Sequence, residues 1–122
     1  MSADLQVASE FLDAMAAAAA SGERDPVLVF LAEDVEWVVP QRTLHGLEDV
    51  RRNHTWGLPP ESFDVEFERE ECVELGGGRL TVTLSEAYRW KQTGEIAHRR
   101  ARRIELTVRD GEISRYEMQV VG

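Results

Sequence analysis

The sequence has little of what a disulfide scaffold, a nucleic-acid binder or a membrane protein needs. Its one cysteine, Cys72, excludes an internal disulfide and fits a reducing cytoplasm. In "REECVE" that thiol stands beside Glu70, Glu71 and Glu74, whose charge disfavours the thiolate a nucleophile requires. Basic residues are in deficit, 14 against 23 acidic ones, and a formal net charge of −9 argues against a phosphate-rich partner. No apolar run is long enough to span a bilayer. The stretch "AMAAAAA" at 14–20 lacks a basic lead-in and reads as the end of a helix, so neither a membrane nor an export segment is expected. No glycine-rich loop leads from a strand into a helix, which leaves nucleotide phosphate binding unsupported. His45, His54 and His98 lack a ligand spacing such as HExxH, so no metal and no cofactor are expected.

What is present is periodicity. The 122 residues suit one domain, 1–122, and show no repeat or linker. Residues 4–20 read as an amphipathic helix with Leu5, Ala8, Leu12, Met15 and Ala19 on its buried stripe and Phe11 on the flank. Ser21-Gly22 ends it, and Asp25-Pro26 supplies an N-cap and a first-turn proline for a short helix over 26–33 that buries Val27, Phe30 and Leu31. "VEWVV" at 35–39 alternates as a strand turning Val35, Trp37 and Val39 to one face, and Pro40 closes it. A third helix is expected near 47–54, stopped by Gly57.

The period then becomes two. "FDVEFERE" at 63–70 gives a half-buried strand with an acidic back, and the glycines at 76–78 make a turn. In the strand 80–90, Leu80, Val82, Leu84, Glu86, Tyr88 and Trp90 share a face. "KQTGE" turns the chain into a strand ending at Val108, and 113–121 completes the sheet. Three helices followed by long strands give an α+β fold. The last turn, "VRDGEI", allows two forms. A two-residue Asp-Gly hairpin sets Val108 opposite Ile113 and turns Arg115, Glu117 and Gln119 inward. A bulge at Gly111 turns Tyr116, Met118 and Val120 inward instead. Burying the charged row would cost several kcal/mol per unpaired charge, roughly enough to select the bulge.

In order and spacing, "AEDVEW", a proline, "HG" with a short helix, and a sheet ending "VRDGEISRYE" resemble the SnoaL-like branch of the nuclear transport factor 2-like superfamily. The resemblance covers nearly the whole chain. It implies a cone, in which a curved antiparallel sheet wraps the N-terminal helices and leaves a pocket at its wide end, and it implies a homodimer. Relatives include ketosteroid isomerases, polyketide cyclases and limonene-epoxide hydrolases. The isomerases' base, tyrosine and acid fall on Val39, Phe11 and Ile104, all apolar here. Of the hydrolases' set only Glu86 matches, with Leu84 and Met118 at the other two positions. The cyclases' last-strand acid again falls on Met118.

What remains is a pocket for a small apolar or weakly anionic molecule. Its expected walls are Trp37, Val39, His54, Leu84, Tyr88, Trp90, Tyr116 and Met118, with His54 at the mouth beside Trp56. Glu86 is the candidate catalytic base. Pairing across "KQTGE" puts His98 or Arg100 opposite it, and a carboxylate with a cationic partner can serve as base, as ligand anchor or as a structural ion pair. In "HRRARR", His98, Arg100 and Arg102 share the inner face, while Arg99 and Arg103 face out toward the acidic backs at Glu66–Glu70. The expectations are thus a small-molecule-binding protein, a cofactor-independent isomerase, cyclase or hydrolase, or a non-catalytic interaction domain.

Overall fold

Capping decides where the first helix begins and ends. In the computed structural model, which describes residues 2–54 and 61–121, α1 runs Ala3–Ser21. The Ser2 hydroxyl accepts the Leu5 N–H at 3.1 Å. Gly22 stops the helix in the left-handed region, φ 79°, and donates its N–H to the Ala18 carbonyl at 2.7 Å. Phe11, expected on the flank, is instead the fully buried centre of the helix face. It sits edge-on to Phe30, Trp37 and Tyr116, with ring centroids 6.1, 6.3 and 6.1 Å away.

The second helix is shorter than its sequence suggested. α2 is the single turn Asp25–Leu28, with Arg24 rather than Asp25 at the cap. The sheet takes the residues that follow. The Phe30 carbonyl accepts the Ile113 N–H at 2.8 Å and Leu31 pairs with Ile113, so β1 starts at Leu31 and runs to Val39. Tertiary pairing outweighs weak local helix preference here. After Pro40-Gln41 the chain folds back as β2, Arg42–His45, a strand the periodicity had not suggested. α3 follows at Leu47–Asn53, as expected. The proposed stop at Gly57 and the neighbour Trp56 lie outside the described residues.

The remaining strands are β3 (Phe63–Arg69), β4 (Val73–Gly76), β5 (Arg79–Trp90), β6 (Ile96–Arg109) and β7 (Glu112–Val120). In β3, Phe63, Val65 and Phe67 are half-buried while Asp64, Glu66 and Glu68 are exposed. β4 was unexpected and is exposed throughout. The sheet order is β2-β1-β7-β6-β5-β3, with β4 beside β5. The β1–β7 pair is parallel and the others are antiparallel. This curved, unclosed sheet wraps α1, which touches β3, β6 and β7, and the result is the expected α+β architecture.

The last hairpin combines features of both expected forms. Asp110 and Gly111 both have positive φ, 53° and 78°, and Val108 faces Ile113. The turn is therefore the two-residue form, for which Asp-Gly is well suited. The extra residue appears further on. Thr107 pairs with Arg115 while Val108 pairs with Ile113, which makes Ser114 the bulge, and its hydroxyl reaches the Thr107 carbonyl at 3.3 Å. This slip lets Ile113, Tyr116 and Met118 all face inward. Arg115 turns out to pair with Glu117 at 2.9 Å and Glu36 at 3.7 Å. The expected inner row holds for Tyr116 and Met118, but the bulge that produces it is not at Gly111. Val120 is half exposed.

Candidate functional site

The inner faces of β5 and β6 change character along their length. Their facing pairs run Leu80–Leu106, Val82–Ile104, Leu84–Arg102, Glu86–Arg100 and Tyr88–His98. The first two pairs are dry core, and the last three turn polar. A half-open cavity of about 750 Å³ lies at that end. Met15 and Ala19 of α1, Val39, Met118 and Val120 supply its apolar wall.

Glu86 is the polar centre. Only 3% of it is exposed. Its Oε1 accepts the Arg100 Nε–H at 3.1 Å and also contacts Arg102 Nε. Its Oε2 accepts the Tyr88 hydroxyl at 2.6 Å. The register settles the choice between His98 and Arg100: Arg100 lies opposite Glu86 and His98 opposite Tyr88. Burial, then the hydrogen bond and charge of Glu86, push the Tyr88 phenol up to about 12. Arg102 is 8% exposed, and its Nε makes the ionic contact with Glu86 without an aligned hydrogen bond. Two guanidiniums and a phenol already bonded to Glu86 stabilise its charged form and make it a weaker base toward a substrate proton.

Trp37 does not stand on the cavity wall. It is fully buried behind Tyr116, ring stacked on ring at 3.8 Å and 14°, and Tyr116 meets the cavity in its place. Burial pushes that tyrosine up to about 12. The indole N–H donates to His54 Nδ1 at 3.2 Å. His54 follows α3 and does line the cavity. Burial, then the positive charges of Arg42 and Arg102, lower its pKa to about 4.

Two other expected wall residues lie elsewhere. Leu84 belongs to the core cluster. Trp90 is 46% exposed at the end of β5, tilted against Phe63 at 4.3 Å, past a strand irregularity that follows Tyr88. Val39, His54, Glu86, Tyr88 and His98 do border the cavity, as do Arg100, Arg102, Tyr116 and Met118.

Sequence reasoning missed Met15 and Ala19 as wall residues, and the Pro40-Gln41-Arg42 rim. Met15 and Ala19 were visible as helix stripe positions, but nothing in their spacing separates cavity wall from core. Arg42 was missed with β2, although Pro-Gln followed by "RTLH" is compatible with a hairpin. Its Nη2 reaches the Asn53 carbonyl.

Outside the cavity, Glu66 pairs with Arg89 at 2.8 Å and Arg69 with Asp13 at 2.9 Å. Arg99 and Arg103 make no ion pair among the described residues: Glu66, in the row of Ala87 and Arg99, takes the diagonal Arg89 instead, and Arg103 lies between Thr83 and Gln119. Burial pushes the Cys72 thiol up, with Arg69 opposing and Glu74 adding to the shift. Among the described residues no group of three or more His, Cys, Asp or Glu is placed to hold a metal, and no helix is long and apolar enough to cross a membrane.

A curved, unclosed sheet around a long N-terminal helix defines the class of fold. Solved structures give that class its name. An NTF2-like protein from Anabaena variabilis ATCC 29413 superposes with a TM-score of 0.80 at 16% identity, covering 98% of this chain and 90% of that one. TerC, co-crystallized with polyporic acid, gives 0.70 at 20% identity, covering 98% and 92%. A protein with a ketosteroid isomerase-like fold from Catenulispora acidiphila DSM 44928, in complex with trimethylamine, gives 0.63 at 17%, covering 90% and 84%. The chain has the NTF2-like, ketosteroid isomerase-like fold. No family model matches the sequence, and no curated protein matches it either. At these identities the likeness establishes a fold, and the fold hosts many activities.

Proposed function

We propose that the protein binds a small, mostly apolar molecule in the cone, and that Glu86 holds two arginines in place instead of acting as a general base. The cavity carries this reading. It has about 750 Å³ of space, an apolar wall and one convergent polar cluster, the usual make-up of a small-molecule site. Neighbours support it at the level of fold, since one was crystallized with polyporic acid and another with trimethylamine. The alternative is a cofactor-independent isomerase, cyclase or hydrolase. It requires Glu86 to act as a base while Tyr88 and Arg100 hold its charge.

Titration with N-phenyl-1-naphthylamine, a neutral apolar fluorophore, tests the binding reading. Saturable binding to the wild type is expected, together with its loss in Met118→Trp, where an indole fills the cavity while circular dichroism stays native. No binding, or binding that Met118→Trp leaves unchanged, overturns the reading.

A further inference from the structure

Charge is distributed against the grain of this molecule. The chain as a whole carries a formal −9, yet the cavity at the end of β5 and β6 is bordered, among the described residues, by Arg42, Arg100 and Arg102 and by one carboxylate, Glu86. That carboxylate is already committed. One oxygen is shared between two guanidiniums and the other holds the Tyr88 hydroxyl. One negative charge therefore faces two buried or half-buried positive ones, and Arg102 Nε has no aligned acceptor. Among the described residues Glu86 is the one counter-ion that Arg102 has, and a buried cation that shares its counter-ion is under-compensated and gains from a second anion.

The other polar groups bordering the cavity add no negative charge, and Arg42 adds a positive one. His54 comes from the end of α3, Arg42 from β2, His98 from β6 and Tyr116 from β7, and none of them is a carboxylate. Among the described residues a cationic ligand would find no second carboxylate to receive it, and a neutral one would leave the excess charge unpaired.

We propose that the ligand carries an anionic group, a carboxylate or a comparable oxyanion, which seats on Arg102 and Arg100 while its apolar body lies against Met15, Met118 and Val120. Glu86 is then a positioning residue that aims the two guanidiniums. The proposal rests on the cavity being the binding site, and it specifies the chemistry of what enters.

Two probes of nearly the same shape separate the two claims. N-phenyl-1-naphthylamine is the apolar body alone, and 8-anilino-1-naphthalenesulfonate is that body with a sulfonate. The wild type should bind the sulfonate about ten-fold more tightly or better, as charge-assisted pairing to guanidinium implies, and the sulfonate should displace the neutral probe. Arg102→Gln should remove most of that preference while leaving the neutral probe's affinity within about two-fold, since only the charged contact is lost. Arg100→Gln, at the more exposed arginine, should reduce the preference by a smaller factor and provides a second reading should Arg102→Gln fold poorly. Equal affinity for the two probes, or arginine variants that weaken both alike, overturns the anion site and leaves the cavity reading intact. Binding of neither probe overturns both.

Discussion

Two stretches of the same strand pair, on the same face of the same sheet, follow opposite rules. Toward the closed end of β5 and β6, Leu80, Val82, Ile104 and Leu106 are buried against one another with no polar atom to satisfy. Toward the open end, Leu84–Arg102, Glu86–Arg100 and Tyr88–His98 bring a carboxylate, one guanidinium and a phenol into nearly as much burial, with the Arg100 guanidinium half-buried beside them. Dry packing needs only shape, whereas the charged cluster needs every partner present at once. On the proposed reading, the dry end carries stability and the wet end carries recognition. Removing one residue from the dry end should cost packing, and removing one from the wet end should leave its partners stranded.

The largest expected effect belongs to the dry end. Trp37 is fully buried, stacked on Tyr116 and edge-on to Phe11. Trp37→Ala should cost about 4 kcal/mol, read as a shift in urea unfolding free energy. A loss under about 1 kcal/mol would place the tryptophan outside the load of the core.

At the wet end, Glu86→Ala should cost about 3 kcal/mol, because it strands Arg100 and Arg102 together. The concerted replacement Glu86→Leu, Arg100→Leu and Arg102→Met should come within about 1 kcal/mol of wild type or exceed it, since whole buried ion clusters are often neutral against apolar isosteres. If the triple variant loses as much as the single one, the cluster is structural and the contrast between the two ends disappears.

The smallest expected effect lies at the seam. His54 accepts from Trp37 of the dry core and borders the wet cavity, with its pKa lowered to about 4 from 6.5. A histidine depressed in the folded state contributes its full stability above about pH 6.5, and that contribution falls as acidification proceeds toward pH 4, because the unfolded chain takes up the proton first. Between pH 7 and pH 5 the loss from this residue should be about 2 kcal/mol. His54→Gln should shrink the measured pH-dependent drop by about that amount. An unchanged drop would mean that the imidazole is charged inside the fold.

Much of this was legible in residue order. The alternation of "FDVEFERE" and of "LTVTLSEAY" named the inner faces of β3 and β5, and the inward turn of Glu86, Arg100 and Arg102 followed from counting by two. Other features were hidden for specific reasons. β2 and β4 are four-residue strands whose identity comes from their partners β1 and β5. α2 looked longer because Phe30 and Leu31 suit a helix face as well as they suit the pairing with Ile113 that captures them. Trp37 and Met15 are apolar residues on apolar faces, and nothing local tells core from cavity wall.

Periodicity and composition by themselves determined the α+β class and the sides of β3, β5 and β6 that meet the interior. These are properties of a few consecutive residues and the solvent. Tertiary structure alone decided the bulge at Ser114, the retreat of Trp37 behind Tyr116 and the sharing of one carboxylate between two arginines. Each of these depends on the relative placement of strands far apart in sequence, where a slip of one residue reverses which side chains face in.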